Sequence, residues 1–300
     1  MTTENYNSTH RSGYLAALVV IFCWSGFNIV SRLAGRSVLT PFDIAALRVG
    51  IASLILLPLF VRILWQALQA SDVRLLLQYL SIAIFGSLGY ALPVYSGFAF
   101  APAAHAGVLV NGGIPLATAL LAWFALGQRP RGWGAFSLAI AISGIVMIGL
   151  QSFALAGGNQ WIGDLFFVFG AVSWAIAGLL MRRWHLKPIP TVAMMNGLAA
   201  ILYLPVYVLF LPSHLHEAPM NAVLLQGTYQ GFVAAIIAGI FYNHANLTIG
   251  PQKASLMLAL VPGITAIAAV PILGESLSAL AIFGVLLITA GAILGAVKRG

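Results

Sequence analysis

Charge is the scarcest property of this chain. Only 7% of its 300 residues are Asp, Glu, Lys or Arg, against 61% hydrophobic ones, and the mean hydropathy is +1.00. A water-soluble domain carries about 25% charged residues, so a soluble enzyme or a nucleic-acid binder is excluded. The acids number six, and Asp43, Asp164, Glu217 and Glu275 fall near the ends of apolar runs, never at their middles. Cys23 is the only cysteine, which excludes an internal disulfide and a thiolate metal cluster; it reads as a small packing residue. No Ser-His-Asp or His-rich spacing marks a nucleophile or a metal centre, so no catalytic residue, cofactor or metal is expected. His214-Leu215-His216-Glu217 stands without further ligands and reads as a loop.

What is present is one apolar run after another. Ten are found, over 13–32, 43–62, 75–98, 102–126, 133–150, 163–181, 191–211, 222–246, 252–273 and 278–297. Runs of roughly 20 residues cross about 30 Å of hydrocarbon as helices, whereas outer-membrane strands need only about 10 residues of alternating polarity. The predicted fold class is therefore an all-α integral membrane protein of about ten transmembrane helices. If each run switches sides, Arg11, Arg62, Arg74, Arg129, Arg131, Arg182, Arg183, Lys187, Lys253, Lys298 and Arg299 collect on one face. Arg32 and Arg36 fall on the other, and Arg48 lies within a run. This is the positive-inside pattern, which predicts a multi-pass protein of the bacterial cytoplasmic (inner) membrane with both termini in the cytoplasm. The net charge of +8 thus orients the chain and does not recruit nucleic acid. The first dozen residues are polar and lack a basic n-region and cleavage site, so the first run is expected to remain as a helix.

The second half repeats the first. Pro115, Thr118, Ala119, Leu126, Gly127 and Gly144 recur 147 residues later as Pro262, Thr265, Ala266, Leu273, Gly274 and Gly291. Gly50, Pro58 and Tyr95 recur as Gly197, Pro205 and Tyr242; at the front, Gly13, Leu15, Trp24 and Arg32 recur 150 residues later as Gly163, Leu165, Trp174 and Arg182. The expected organisation is a cytoplasmic tail over 1–12, a five-helix repeat over 13–150, an external linker over 151–162 and a second five-helix repeat over 163–300. An odd number of spans inserted twice points opposite ways, so the repeats are expected to be inverted, the architecture of alternating-access carriers.

Trp24-Ser25, Ser173-Trp174-Ala175 and the pairs Leu126-Gly127-Gln128-Arg129 and Leu273-Gly274-Glu275-Ser276 resemble the EamA domains of the drug/metabolite transporter superfamily. The usual Gly-Glu of that pattern stands only in the second copy, since Gln128 replaces the acid in the first. The resemblance covers nearly the whole chain and implies a ten-span exporter; within the superfamily it extends to YddG-type exporters of amino acids, aromatic ones included.

Polar groups at bilayer depth need a partner or a wet cavity, which selects the candidate substrate-binding residues. Trp24, Asn28 and Ser31 share one face of the first span, opposite Trp174, Gly178 and Met181 of the other copy. They read as two walls of an off-symmetric pocket, or else the tryptophans fill helix grooves. Asn111, Pro115 and Thr118 share a face, matched by Leu258, Pro262 and Thr265. Proline within a helix frees the carbonyl four residues upstream, so Pro115 and Pro262 are expected to be kinks or pivots, whether mobile or static. Arg48 suits a substrate carboxylate, a structural pair with Asp43, or snorkelling outward. Tyr90, Tyr203, Tyr229 and Gln230 fall near mid-span and are expected to line the cavity. Tyr242, Asn243 and His244 lie toward the cytoplasmic boundary and read as a gate or as interfacial anchors. Gly291 and Gly295 form a GxxxG pair suited to a homodimer face or to packing inside the bundle.

No central acid is available to trade protons for a cationic drug, and only Arg48 and Lys253 could meet a phosphate. The expected partners are the lipid bilayer and a small neutral or zwitterionic metabolite, with amino acids favoured as cargo for export. Other metabolites or drugs, and a membrane-embedded enzyme, are the alternatives. Facilitated exchange is the simplest energetics, and His244 leaves pH-linked transport open.

Overall fold

The computed structural model describes residues 3–127, 129, 132–155 and 158–297. Among these described residues ten helices follow in order: α1 Thr3–Gly35, α2 Pro41–Gln69, α3 Val73–Phe100, α4 over 103–126, α5 over 133–155, α6 Gln160–Arg183, α7 Pro188–Phe210, α8 over 220–258, α9 Val261–Leu273 and α10 Ala279–Val297. No strand occurs among the described residues. Among the described residues, eight helical segments are long and apolar enough to cross a membrane; Val261–Leu273 and Ala279–Gly295 are shorter apolar helices. The ends follow local chemistry. Thr40 and Asp43 form a capping box over α2, with Pro41 in the first turn where its missing N–H costs nothing. Asp72 caps α3. Gly127 and Gly274, the glycines of the two Leu-Gly pairs, close α4 and α9 at φ 67° and 64°, a left-handed conformation that disfavours any Cβ.

Three boundaries differ from the sequence reading. The expected tail over 1–12 is helical from Thr3, because extending an established helix costs far less than nucleating one. The connection expected over 151–162 is shortened, since Gln151–Leu155 continues α5 as a π-helical turn and α6 begins at Gln160. The break expected before 252 is absent: the chain stays helical to Leu258 and turns at Ala259–Leu260. Pro262 consequently stands in the first turn of α9 and kinks no continuous helix, a position where proline is well tolerated. Pro115 is the third residue of the α-helical segment Gly113–Leu126, directly after a π-helical turn at Gly107–Gly112. Under the 147-residue offset that turn ends where α8 and α9 part, so each proline follows a backbone defect at an equivalent place. Further π-helical stretches at Ala83–Leu88 in α3 and Gly227–Ile237 in α8 also correspond between the copies.

The packing carries the same two-fold relation. Helix α1 packs on α8 and α9, as α6 packs on α3 and α4; α2 packs on α7 and α5 on α10. Glycines let the backbones meet. A Cβ on Gly144 would lie 2.8 Å from the Gly284 carbonyl oxygen and 3.0 Å from the Ile288 nitrogen. Its counterpart on Gly291 would lie 2.8 Å from both the Ser137 oxygen and the Ala141 nitrogen, the same contact with the copies exchanged. Gly13 against Thr248 repeats as Gly163 against Ala101. The GxxxG face of α10 is thus occupied within the bundle, Gly295 also lying against Ser137. Large apolar side chains such as Leu54, Trp65, Phe124 and Phe210 point outward, while the interior is built of alanine, aromatic rings and a few polar groups.

Overpacking of this kind destabilises by about 1–3 kcal/mol. Gly291→Ala should therefore lower the stability of detergent-solubilised protein in thermal unfolding, whereas Gly149→Ala, with nothing within 4 Å of the new methyl, should leave it equal or higher.

Candidate functional site

The bundle interior holds a guanidinium that no carboxylate contacts among the described residues. Arg48 on α2 is 5% exposed, and its central carbon lies 6.0 Å from the ring centroids of both Phe27 on α1 and Tyr90 on α3. Asp43, the expected structural partner, is taken up elsewhere: it accepts hydrogen bonds from Thr40, Tyr207, Ser213 and the His214 backbone. The Nε of Arg48 is buried without a hydrogen-bond partner. Around it stand aromatic rings. Tyr90 packs on Trp174 at 5.0 Å and on Phe27 at 6.3 Å, and Phe27 lies 6.0 Å from Tyr95. A cation held over ring faces is attracted by their quadrupoles, but that gain is smaller than the cost of an unpaired buried charge.

Two amides complete the set. Asn28 on α1 is fully buried and donates through Nδ2 to Thr265 Oγ1 on α9 at 3.1 Å, leaving Oδ1 without a partner. Thr265 packs on Gly107, and Asn111, one turn further along α4, has a buried Nδ2 that is likewise unpartnered. An acceptor on α1 and donors on α2 and α4 are thus left free inside the protein. Arg48 and Asn28 are buried, and Asn111 is half-buried. An apolar groove lined by Leu109, Leu116, Leu120, Phe124 and Val168 runs elsewhere, along α4 and α6, and includes none of these polar groups.

The other expected residues are distributed differently. Gln230 is fully buried but satisfied, accepting from Tyr95 Oη at 3.1 Å and donating to Ser31 Oγ at 3.0 Å and Gln226 Oε1 at 3.2 Å. Tyr229 donates to the Cys23 carbonyl at 3.2 Å, and Tyr203 to the Phe42 carbonyl at 3.0 Å with its ring against Tyr207. Trp24 packs on Tyr242 at 5.3 Å, joining α1 to α8 rather than meeting Arg48. His244 Nε2 lies 3.1 Å from Ser12 Oγ at the far end of the same helix pair. The side chain of Asn243, and Gln128, lie outside the described residues. Pro115 is exposed and Pro262 buried.

The model of the EamA-like transporter family matches residues 11–150 and again residues 161–296. The chain belongs to the EamA-like transporter family. Among curated proteins it is 24% identical over 283 residues to the uncharacterized transporter YyaM of Bacillus subtilis (strain 168), covering 90% of this chain and 88% of that one. A solved crystal structure of a protein 22% identical in sequence superposes with a TM-score of 0.61, covering 95% of this chain and 96% of the other, which shows the fold. As an EamA-family chain the protein is a multi-pass membrane transporter with two family repeats.

Several polar groups that hold this EamA bundle together escaped the sequence reading. Glu275, buried between helices, accepts from Arg32 at 2.8 Å, Arg36 at 2.7 Å and the Ala103 backbone at 2.9 Å. Its place near a helix end concealed this, because depth along the sequence says nothing of lateral burial. Gln226 donates to the Val30 carbonyl at 2.8 Å; its spacing of four from Gln230 in an apolar run was the available signal. Phe27 and Tyr95 carried none, being ordinary core aromatics by pattern.

An unsatisfied buried acceptor costs about 1–3 kcal/mol. Tyr95→Phe should destabilise the detergent-solubilised protein by that amount, while Tyr14→Phe, at a residue 40% exposed, should be neutral in the same thermal assay.

Proposed function

We propose that this EamA transporter exports small zwitterionic metabolites, amino acids foremost and aromatic ones among them, by alternating access between two inverted repeats. The observation that carries this reading is Arg48, a buried cation with no carboxylate in ion-pair contact among the described residues. Burying an unpaired charge costs several kcal/mol, and intramembrane ionisable groups face cargo paths. A guanidinium fits a carboxylate through two parallel hydrogen bonds. The free Oδ1 of Asn28 suits an ammonium N–H, and the free Nδ2 of Asn111 a second carboxylate oxygen. Phe27, Tyr90 and Trp174 offer ring faces to an apolar or aromatic side chain. The exchanged glycine contacts and matched backbone defects support two halves that move as units. The basic-residue bias supports placement in a bacterial cytoplasmic membrane with both termini inside, which makes the Glu275 end external.

Counterflow in proteoliposomes with labelled amino acids, measured against empty liposomes, tests the cargo. Saturable exchange of amino acids is expected, with the corresponding decarboxylated amines failing to compete. Arg48→Gln should raise the half-saturating concentration roughly 10- to 100-fold, the equivalent of about 1.5–3 kcal/mol for a hydrogen bond to a charged group. Equal competition by amines, or unchanged kinetics in Arg48→Gln, would remove the carboxylate role; substrate turnover without two compartments would favour an enzyme.

A further inference from the structure

His105 and Asp164 form a buried pair that cargo recognition does not use. His105, in the first turn of α4, is 1% exposed, and Asp164 on α6 is 8% exposed. His105 Nδ1 lies 2.8 Å from Asp164 Oδ1, and the other carboxylate oxygen accepts from the Ser152 hydroxyl on the π-helical end of α5. The carboxylate bridges the hydroxyl and the imidazole, so no nucleophile is activated; that would need the imidazole in the middle. A carboxylate only accepts, so Nδ1 carries a hydrogen, and on a neutral ring Nε2 is a bare lone pair. That Nε2 is buried and has no hydrogen-bond partner.

We propose that the His105–Asp164 pair is a proton-binding site, with the proton taken at Nε2 and its occupancy linked to closure of this end of the bundle. With a neutral ring the buried pair carries a net negative charge; one proton makes it neutral overall. An unsatisfied N–H is the smaller penalty, since an uncompensated buried charge costs more than an unpaired neutral group. The dipole at the start of α4 opposes a cation there, but only weakly. Other charges near this segment are committed. Arg32 and Arg36 on α1 are bonded to Glu275, which itself holds the Ala103 N–H. Helix α3 brings the phenols Tyr90 and Tyr95 toward this end, and the described parts of α5, α9 and α10 bring no ionisable group. Asp164 and Glu275, both from the second half, thus grip the same short segment, Ala103–Ala106, of the first. Opening this end separates α4 from them, so proton release and opening are coupled. This role falls to His105 and not to His244, which is exposed and faces a hydroxyl.

The proposal goes beyond the cargo assignment and is tested apart from it. Hydrogen–deuterium exchange of the full chain in detergent, corrected for intrinsic rates, should show Ala103–Ala106 and the start of α6 becoming at least about fivefold more protected from about pH 8 to about pH 5, the range in which imidazoles titrate. His105→Gln and Asp164→Asn should abolish that response. In proteoliposomes, an acidic exterior should accelerate efflux of loaded amino acid from wild type, while His105→Gln loses the acceleration yet keeps counterflow at symmetric pH. A protection profile equally pH-dependent in wild type and in His105→Gln, or flat in wild type, overturns the proposal whatever the cargo. Absent counterflow with an intact exchange response overturns the amino-acid reading and leaves the proton site standing.

Discussion

Glu275 is the group on which the closed end of the bundle depends. A carboxylate 7% exposed is held by two guanidiniums from α1 and one backbone N–H from α4, so one side chain of the α9–α10 connection ties the second half to two helices of the first. Arg32 also donates to the Phe98 carbonyl and Arg36 to the Leu273 carbonyl at 2.7 Å, which extends the junction to α3 and α9. In a medium without water each of these groups must find its partners inside the protein or not be there at all. Asp43 and Asp164 obey the same constraint at the same end, each collecting donors from a neighbouring helix or loop. Acids are rare in this chain, and three of its six are placed where helices of different origin meet.

The two halves share a backbone plan but not a polar plan. Equivalent glycines, prolines and π-helical stretches set the same helix approaches in both copies. The side chains placed on that plan differ: Asn28 stands opposite Gly178, Asn111 matches Leu258, and Gln128 matches Glu275. Close helix approach needs small residues at equivalent places in both copies, whereas buried polar groups answer to local partners that differ between the copies. Asymmetry in the polar residues is therefore the expected companion of symmetry in the glycines.

Helices were legible in the sequence because apolar length is itself the requirement for spanning a bilayer, and the repeat because equivalent close approaches demand equivalent small residues. The Leu-Gly pairs were recognisable as motifs; their left-handed glycines explain why. The candidate site was legible only in part. Arg48, Asn28, Asn111, Tyr90 and Trp174 stood out as polar or amphipathic groups at depth, whereas Gln230, Tyr203 and Tyr229 stood out equally and proved to be satisfied by neighbours.

Length, hydropathy and the tandem repeat determined by themselves that the chain is a helical membrane protein in two like halves, since these are properties of segments read one at a time. Only the tertiary structure decided which polar groups are paired. Asp43 lies five residues before Arg48 on one helix, yet their side chains have different partners, and His105 meets Asp164 at a separation of 59 positions along the chain. Partnership depends on which helix faces share an interior, and long-range packing sets that. The polar atoms left without partners, Nε of Arg48 above all, became visible only once every other bond had been assigned.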